Sequence, residues 1–361
     1  MTEADEYARR AVRGHTALES RLRRRDEVYR RPGWPGRLGF SEHLWPVARA
    51  FTATLDVAGI PERLVSGFDV GEAITRDLRG LERYWDPTGP RPAYASDPHR
   101  TPWGGDRYYD DNAWVGLALV QLARLRPDAA CTGRAAALFE FARGGWDERP
   151  NVPHPGGTFW VEQGRGTGRR NHDRNTVSNA PHAELGLHLD EMGGGDQYRS
   201  DAERMYAWVM TALRGPDGLY LDKVRGDGSL DRTLWSYNQG SMIGAAVLQY
   251  RARGMTEFMS AAESTARTAL DHYAGRYFDQ PAAFNAIFFR NLLLLHAVSG
   301  NPALRTQISD ALSGYADDAW ARTRDDLLTR DDGSVTVLDQ SALVSVLALR
   351  AWDPGNYGRL A

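Results

Sequence analysis

Cysteine, lysine and long apolar runs are what this 361-residue chain has least of. Its single cysteine, Cys131, excludes an internal disulfide framework and offers no paired-thiol spacing for a metal. Its single lysine is Lys223; the remaining basic residues are arginines scattered among acids, as in "AERMYAW" and "ARTRDDLLTRDD". With a net charge of -3, this pattern describes solvated helix faces and excludes the basic footprint of a nucleic-acid binder. The arginine excess reads as compositional bias, not as a binding surface. The N-terminal stretch "MTEADEYARRAVRGHTALESRLRRR" is charged from residue 3 and lacks the apolar core of a leader or membrane anchor. A cytoplasmic location with no membrane partner is therefore expected.

Alternating strand patterns longer than a few residues are also missing, and helical periodicity takes their place. It predicts twelve helices, at roughly 4–25, 43–58, 69–85, 110–126, 130–144, 174–191, 196–213, 236–253, 256–276, 283–298, 302–324 and 339–352. The connections leading into the even-numbered helices are mostly long and the others mostly short. Long ordered loops usually carry function, and antiparallel alternation gathers them on one side with the N-termini of the even helices. Those helices are apolar nearly all round, as in "AFNAIFFRNLLLLHAVSG", whereas "AERMYAWVMTALRG" has a clear polar face. Helices without a polar stripe are buried and those with one are outer. Six inner and six outer helices make an all-α (α/α)6 barrel, a single catalytic domain over 1–361 with long loops on the active face. A solenoid of helical pairs ranks lower because no repeat of fixed period is visible. The loop "GPDGLYLDKV" has room for a short hairpin.

Aromatic residues are plentiful, with 11 Trp, 15 Tyr and 11 Phe. Many sit beside glycine or proline, in "RPGWPG", "TPWGG", "GGTFW" and "RGGW". Rings in such loops either anchor the loop or stack on something flat, such as a sugar face. Three clusters carry candidate chemistry. In "YYDDNAWVGLAL", Asp110 and Asp111 open the fourth helix. They serve either as cap and dipole partners or as a catalytic pair. Neighbouring carboxyl groups diverging by about 5–5.5 Å suit retaining glycoside hydrolysis, and close carboxylates drive their pKa values apart. Tyr109 is expected to shape the pocket and Tyr108 to pack, with Asn112 following the pair. In "TLWSYNQGSMIGAA", Trp235, Tyr237, Asn238 and Gln239 combine rings with amides able to read sugar hydroxyls; capping by Ser236 or Asn238 is the plainer reading. In "GGTFWVEQ" and "NTVSNAPHAELGLHL", Trp160 lies on a loop, Asn175 can cap, and Asn179 sits one turn into an apolar helix. Asp222, on the long loop before the eighth helix, completes the binding set.

These clusters, in this order, resemble glycoside hydrolase family 76, the endo-acting α-1,6-mannanases, over roughly residues 100–350. "YYDDNAWVGLAL" and "WSYNQGSMIGAAV" carry the resemblance, and "AFNAIFFRNLLLL" extends it. It implies retention through a glycosyl-enzyme, with Asp110 as nucleophile and Asp111 as general acid/base. Trp114 would wall the pocket or pack behind the pair. It further implies an oligosaccharide or glycoconjugate substrate, no cofactor and no metal, and a monomer is expected. Val115 and Val161 stand where the family usually has tryptophan, which would alter sugar stacking at one or two subsites. With no leader visible, an intracellular oligosaccharide, glycolipid or biosynthetic intermediate becomes an alternative to a polymeric mannan. Two other readings fit the same barrel: a sugar epimerase or isomerase using His172, His182 or His296, and a non-catalytic carbohydrate-binding protein. A terpene cyclase does not fit, because "DDNAW" offers no second acid within the next turn for magnesium.

Overall fold

The computed structural model describes residues 2–98, 105–164 and 171–361; Trp103 of "TPWGG" lies outside them. Among the described residues, twelve long helices occupy the expected places: α1 Glu3–Leu22, α2 Leu44–Ala58, α3 Val70–Glu82, α4 Tyr109–Leu125, α5 Ala129–Arg143 and α6 Thr176–Glu191. They continue as α7 Asp196–Ala212, α8 Ser236–Arg253, α9 Thr256–Tyr273, α10 Ala282–Val298, α11 Pro302–Ala321 and α12 Val337–Ala351. A one-turn helix, Gly33–Arg37, was not expected. Several helices are shorter than the periodicity suggests because their flanks pair as strands. Trp85–Asp86 pairs with Ala93–Tyr94, Arg174–Asn175 with Lys223–Val224, and Thr323–Arg324 with Leu327–Leu328. A short hairpin was expected within "GPDGLYLDKV"; the one that forms begins at its end and joins Lys223–Val224 to Leu230–Asp231.

The even helices form a closed ring, α2 on α4, α4 on α6, α6 on α8, α8 on α10, α10 on α12, and α12 back on α2. Helix α1 lies over that last seam, and the other odd helices lie outside. Contact between the first and last inner helices is what a solenoid lacks, so the ring is an (α/α)6 barrel. Each inner helix meets two inner neighbours and an outer one, which leaves no face for water. In α8, every residue from Ser236 to Gln249 is buried, whereas α11 buries only Leu304, Ile308, Leu312, Tyr315, Ala316 and Ala319. Each fully buried leucine or phenylalanine contributes about 1.5–3 kcal/mol of transfer free energy. Glycine lets α8 approach α10 closely: a Cβ on Gly240 would stand 2.7 Å from the Phe288 Cα.

The C-terminal ends of the inner helices are sealed. The segment Pro354–Arg359 folds over them and buries Tyr357. Arg251 donates to the Gly358 carbonyl at 2.9 Å and Arg124 to the Leu360 carbonyl at 3.0 Å. Beneath this plug Arg290 of α10 pairs with Asp56 of α2, both buried, and Glu191 receives Arg124 at 2.8 Å and Arg251 at 2.9 Å.

Candidate active site

At the opposite end, loops far apart in sequence are stitched edge to edge. The Trp160 carbonyl accepts from the Tyr109 N–H at 3.0 Å, and the Trp160 backbone N–H donates to the Asp173 carbonyl at 2.9 Å. Tyr108 bridges Val161, Phe159 bridges Arg174, and Arg174–Asn175 pairs with Lys223–Val224. Buried Arg107 clamps this rim through a two-pronged ion pair with Glu162, with both bonds 2.6 Å. The rim surrounds a cleft of about 580 Å³, a size usual for small-molecule sites.

Asp110 and Asp111, the second and third residues of α4, line this cleft. The helix is not capped by a side chain at Tyr108. Asp110 does serve its own turn, since its Oδ1 accepts the Asp111 N–H at 3.1 Å, but its Oδ2 accepts the Trp160 indole N–H at 3.1 Å. Burial pushes Asp110 up to about 7, against the pull of Trp160 and of the backbone N–H groups. Asp111 is held well above the ordinary carboxylate range by burial and then by the Asp110 charge. Asp222 is a third carboxyl group in the same cleft, raised to about 6 by burial and partly relieved by Lys223. Ring faces supply the remaining wall. Tyr237 stacks on Phe284 with centroids 3.8 Å apart, and Trp235 and Trp45 approach the same ring at 5.4 and 5.8 Å. Trp160 packs 5.0 Å from Tyr108.

Of the residues singled out in the sequence, Asp110, Asp111, Trp160, Asp222, Trp235 and Tyr237 line the cleft, as does Trp114. The others do not. Tyr109 turns away, stacking on Phe141 at 4.5 Å over Gly145, where a Cβ would stand 2.3 Å from its ring; Tyr108 faces the cleft instead. Asn112, Asn179 and Gln239 are fully buried and read backbone, not sugar. Asn112 pairs with the N–H and carbonyl of Tyr94 at 2.8 and 3.0 Å. Asn179 takes the Thr158 N–H at 2.8 Å, and Gln239 pairs with Tyr220 at 2.8 and 2.9 Å. Asn238 is also buried, with its amide 3.5 Å from Asp222. Val115 and Val161 are core residues that do not line the cleft. The three candidate histidines sit elsewhere: His182 is buried against the Ser178 carbonyl, His172 packs beside Phe159, and His296 faces Tyr357 at the sealed end.

Sequence reasoning missed His43, Trp45, Asp97, Asp106, Lys223 and Phe284. One signal could have found two of them. Trp45, Asp110, Val177 and Tyr237 are each second in their inner helix, and Asp111 and Phe284 are third. The fourth position is the amide that clamps the preceding loop, in Asn112, Asn179, Gln239 and Gln340. In a first helical turn, neighbouring positions differ by about 100°, so one points at the barrel axis and the next but one at the loop.

The profile of glycosyl hydrolase family 76 matches residues 33–339. No curated protein matches. Among solved structures, the family 76 mannosidase Bt3792 of Bacteroides thetaiotaomicron superimposes with a TM-score of 0.80 at 21% identity, covering 96% of this chain and 98% of that one. The GH76A α-1,6-mannanase of Salegentibacter sp. HEL1_6 gives 0.75 at 20% identity, covering 96% and 99%. An inactive variant of the latter enzyme, with two consecutive aspartates changed to asparagine, holds α-1,6-mannotriose; it gives 0.73 at 18% identity, covering 96% and 99%.

Proposed function

Because this chain belongs to glycosyl hydrolase family 76, we propose that it cleaves α-mannosidic linkages, α-1,6 in first place, with retention of configuration. The observation that carries the reading is the difference between the two adjacent carboxyl groups on the cleft floor. Asp110 has the Trp160 indole and the first-turn N–H groups to stabilise its anion, whereas both influences on Asp111 favour the proton. Asp110 is thus the group that ionises first and Asp111 the one that keeps its proton. In the first step the Asp110 carboxylate bonds to the anomeric carbon while Asp111 gives its proton to the departing oxygen. In the second, Asp111 takes a proton from water, which displaces Asp110 and releases the sugar. Trp160 holds Asp110 in place, Asp222 is the acceptor for sugar hydroxyls, and the Tyr237–Phe284 stack is the apolar wall beside the ring. The inactive double-asparagine variant of the Salegentibacter mannanase with its bound mannotriose supports the choice of pair and of sugar.

The test is proton NMR of α-1,6-mannotriose during hydrolysis. The α anomer appearing first is the expected result. The β anomer appearing first rejects Asp110 as nucleophile, and interconverted sugar with no cleaved bond rejects hydrolysis altogether.

A further inference from the structure

Five large hydrophobic side chains are exposed among the described residues: Trp34, Leu38, Phe40, Met255 and Phe278. Three of them, with 71%, 57% and 52% of their surface exposed, crowd into seven residues of the loop between α1 and α2. That loop is built to show them. Its base is closed by the Arg31 N–H on the Phe40 carbonyl at 3.2 Å, and the Leu38 and Phe40 N–H groups both reach the Pro35 carbonyl at 3.1 Å. Gly33 and Gly39 provide the left-handed turns at either side, with φ of 71° and 86°. The apolar tip therefore projects from a self-supported backbone and is not an unfinished piece of core.

Its placement and charge narrow what it meets. Arg31 donates to Asp97 at 2.8 Å, and the Leu44 N–H holds the Ser96 carbonyl at 3.0 Å; His43, Ser96 and Asp97 all line the cleft. The base of the loop thus adjoins the cleft rim. Residues 30–41 contain three arginines and no acid; Arg31 is paired with Asp97, and Arg25 and Arg30 are exposed. Three partly exposed side chains of this size offer roughly 300–400 Å², below the roughly 800 Å² per partner of a stable protein interface. A projecting Trp–Leu–Phe tip flanked by arginine suits the boundary of an anionic bilayer, where rings enter the headgroup layer and guanidinium groups meet phosphate.

We propose that the loop of residues 31–40 docks the active face onto an anionic lipid surface, so that the cleft works beside a membrane. The sequence expectation of no membrane partner rests on the search for long apolar runs. No helix among the described residues is long and apolar enough to cross a membrane, and surface docking needs none. The inference goes beyond the reaction proposed above, and lipid binding requires neither Asp110 nor Asp111, so each stands or falls alone.

The test is co-sedimentation of the full chain with phosphatidylcholine vesicles, with and without phosphatidylglycerol. Binding to the anionic vesicles is expected, weakened about tenfold or more on neutral vesicles or in high salt. The triple variant Trp34→Ser, Leu38→Ser, Phe40→Ser should lose about tenfold or more in partitioning with its melting temperature unchanged. Arg25→Glu with Arg30→Glu should weaken binding in the same direction. Absence of vesicle binding by the unaltered chain, or binding that the triple variant retains, overturns the proposal. So does a dimer by light scattering that the triple variant dissolves, which would assign the tip to a second copy.

Discussion

The two ends of the barrel bury ionisable groups in opposite ways. At the sealed end charges are paired with opposite sign: buried Arg290 with Asp56, and the more exposed Glu191 between Arg124 and Arg251. At the open end Asp110, Asp111 and Asp222 share one cleft, and Lys223 leans toward Asp173 at 3.2 Å as well as toward Asp222. Paired buried charges are costly to break. Like charges gathered without partners destabilise a fold, and they are the arrangement that sets proton affinities for chemistry. One end thus holds the ring shut, and the other spends stability on function.

The contrast breaks most sharply at the pair. Asp110→Asn and Asp111→Asn should each lower hydrolysis of an α-1,6-mannoside by about a thousandfold or more, while thermal melting shows a fold as stable as the native one or more so. Arg290→Met should do the reverse, costing about 3 kcal/mol in urea unfolding because buried Asp56 loses its hydrogen-bonded partner and keeps only the charge of Arg49 nearby, with cleavage per folded molecule retained. Gly240→Ala should cost about 1–3 kcal/mol, read the same way, as its Cβ forces α8 away from α10. The smallest effect is on pH dependence. Asp222 binds its proton more tightly folded than unfolded, so the folded chain carries extra proton between about pH 4 and about 6. Its contribution to stability is present below that window and is lost as pH rises through it. Melts of Asp222→Asn across the window should therefore fall less steeply than those of the native chain, and an unchanged slope would remove Asp222 from the account.

All twelve long helices are legible in the sequence because their periodicity extends over many turns. The rim strands are not, since segments of two residues such as Arg174–Asn175 are too short to show alternation. Six of the chosen site residues reach the cleft because they lie at inner-helix starts or on the rim. The five that do not, Tyr109, Asn112, Asn179, Asn238 and Gln239, have the same chemistry as sugar-binding residues and similar positions in sequence. An amide that clamps a backbone strand and one that reads a hydroxyl differ only in which way the first turn faces. A shift of one residue in the helix start exchanges Tyr108 for Tyr109.

By itself, then, the sequence determined how many long helices form, which of them are inner, and that two adjacent acids open an inner helix, because these follow from local periodicity and hydrophobic patterning. Only the tertiary structure decided which side chains of each first turn meet at the barrel axis, that the last helix closes on α2, and that Trp34, Leu38 and Phe40 stand uncovered on a loop whose base adjoins the cleft rim. Those outcomes depend on rotation about the helix axis and on contacts between segments up to hundreds of residues apart, which no local pattern encodes.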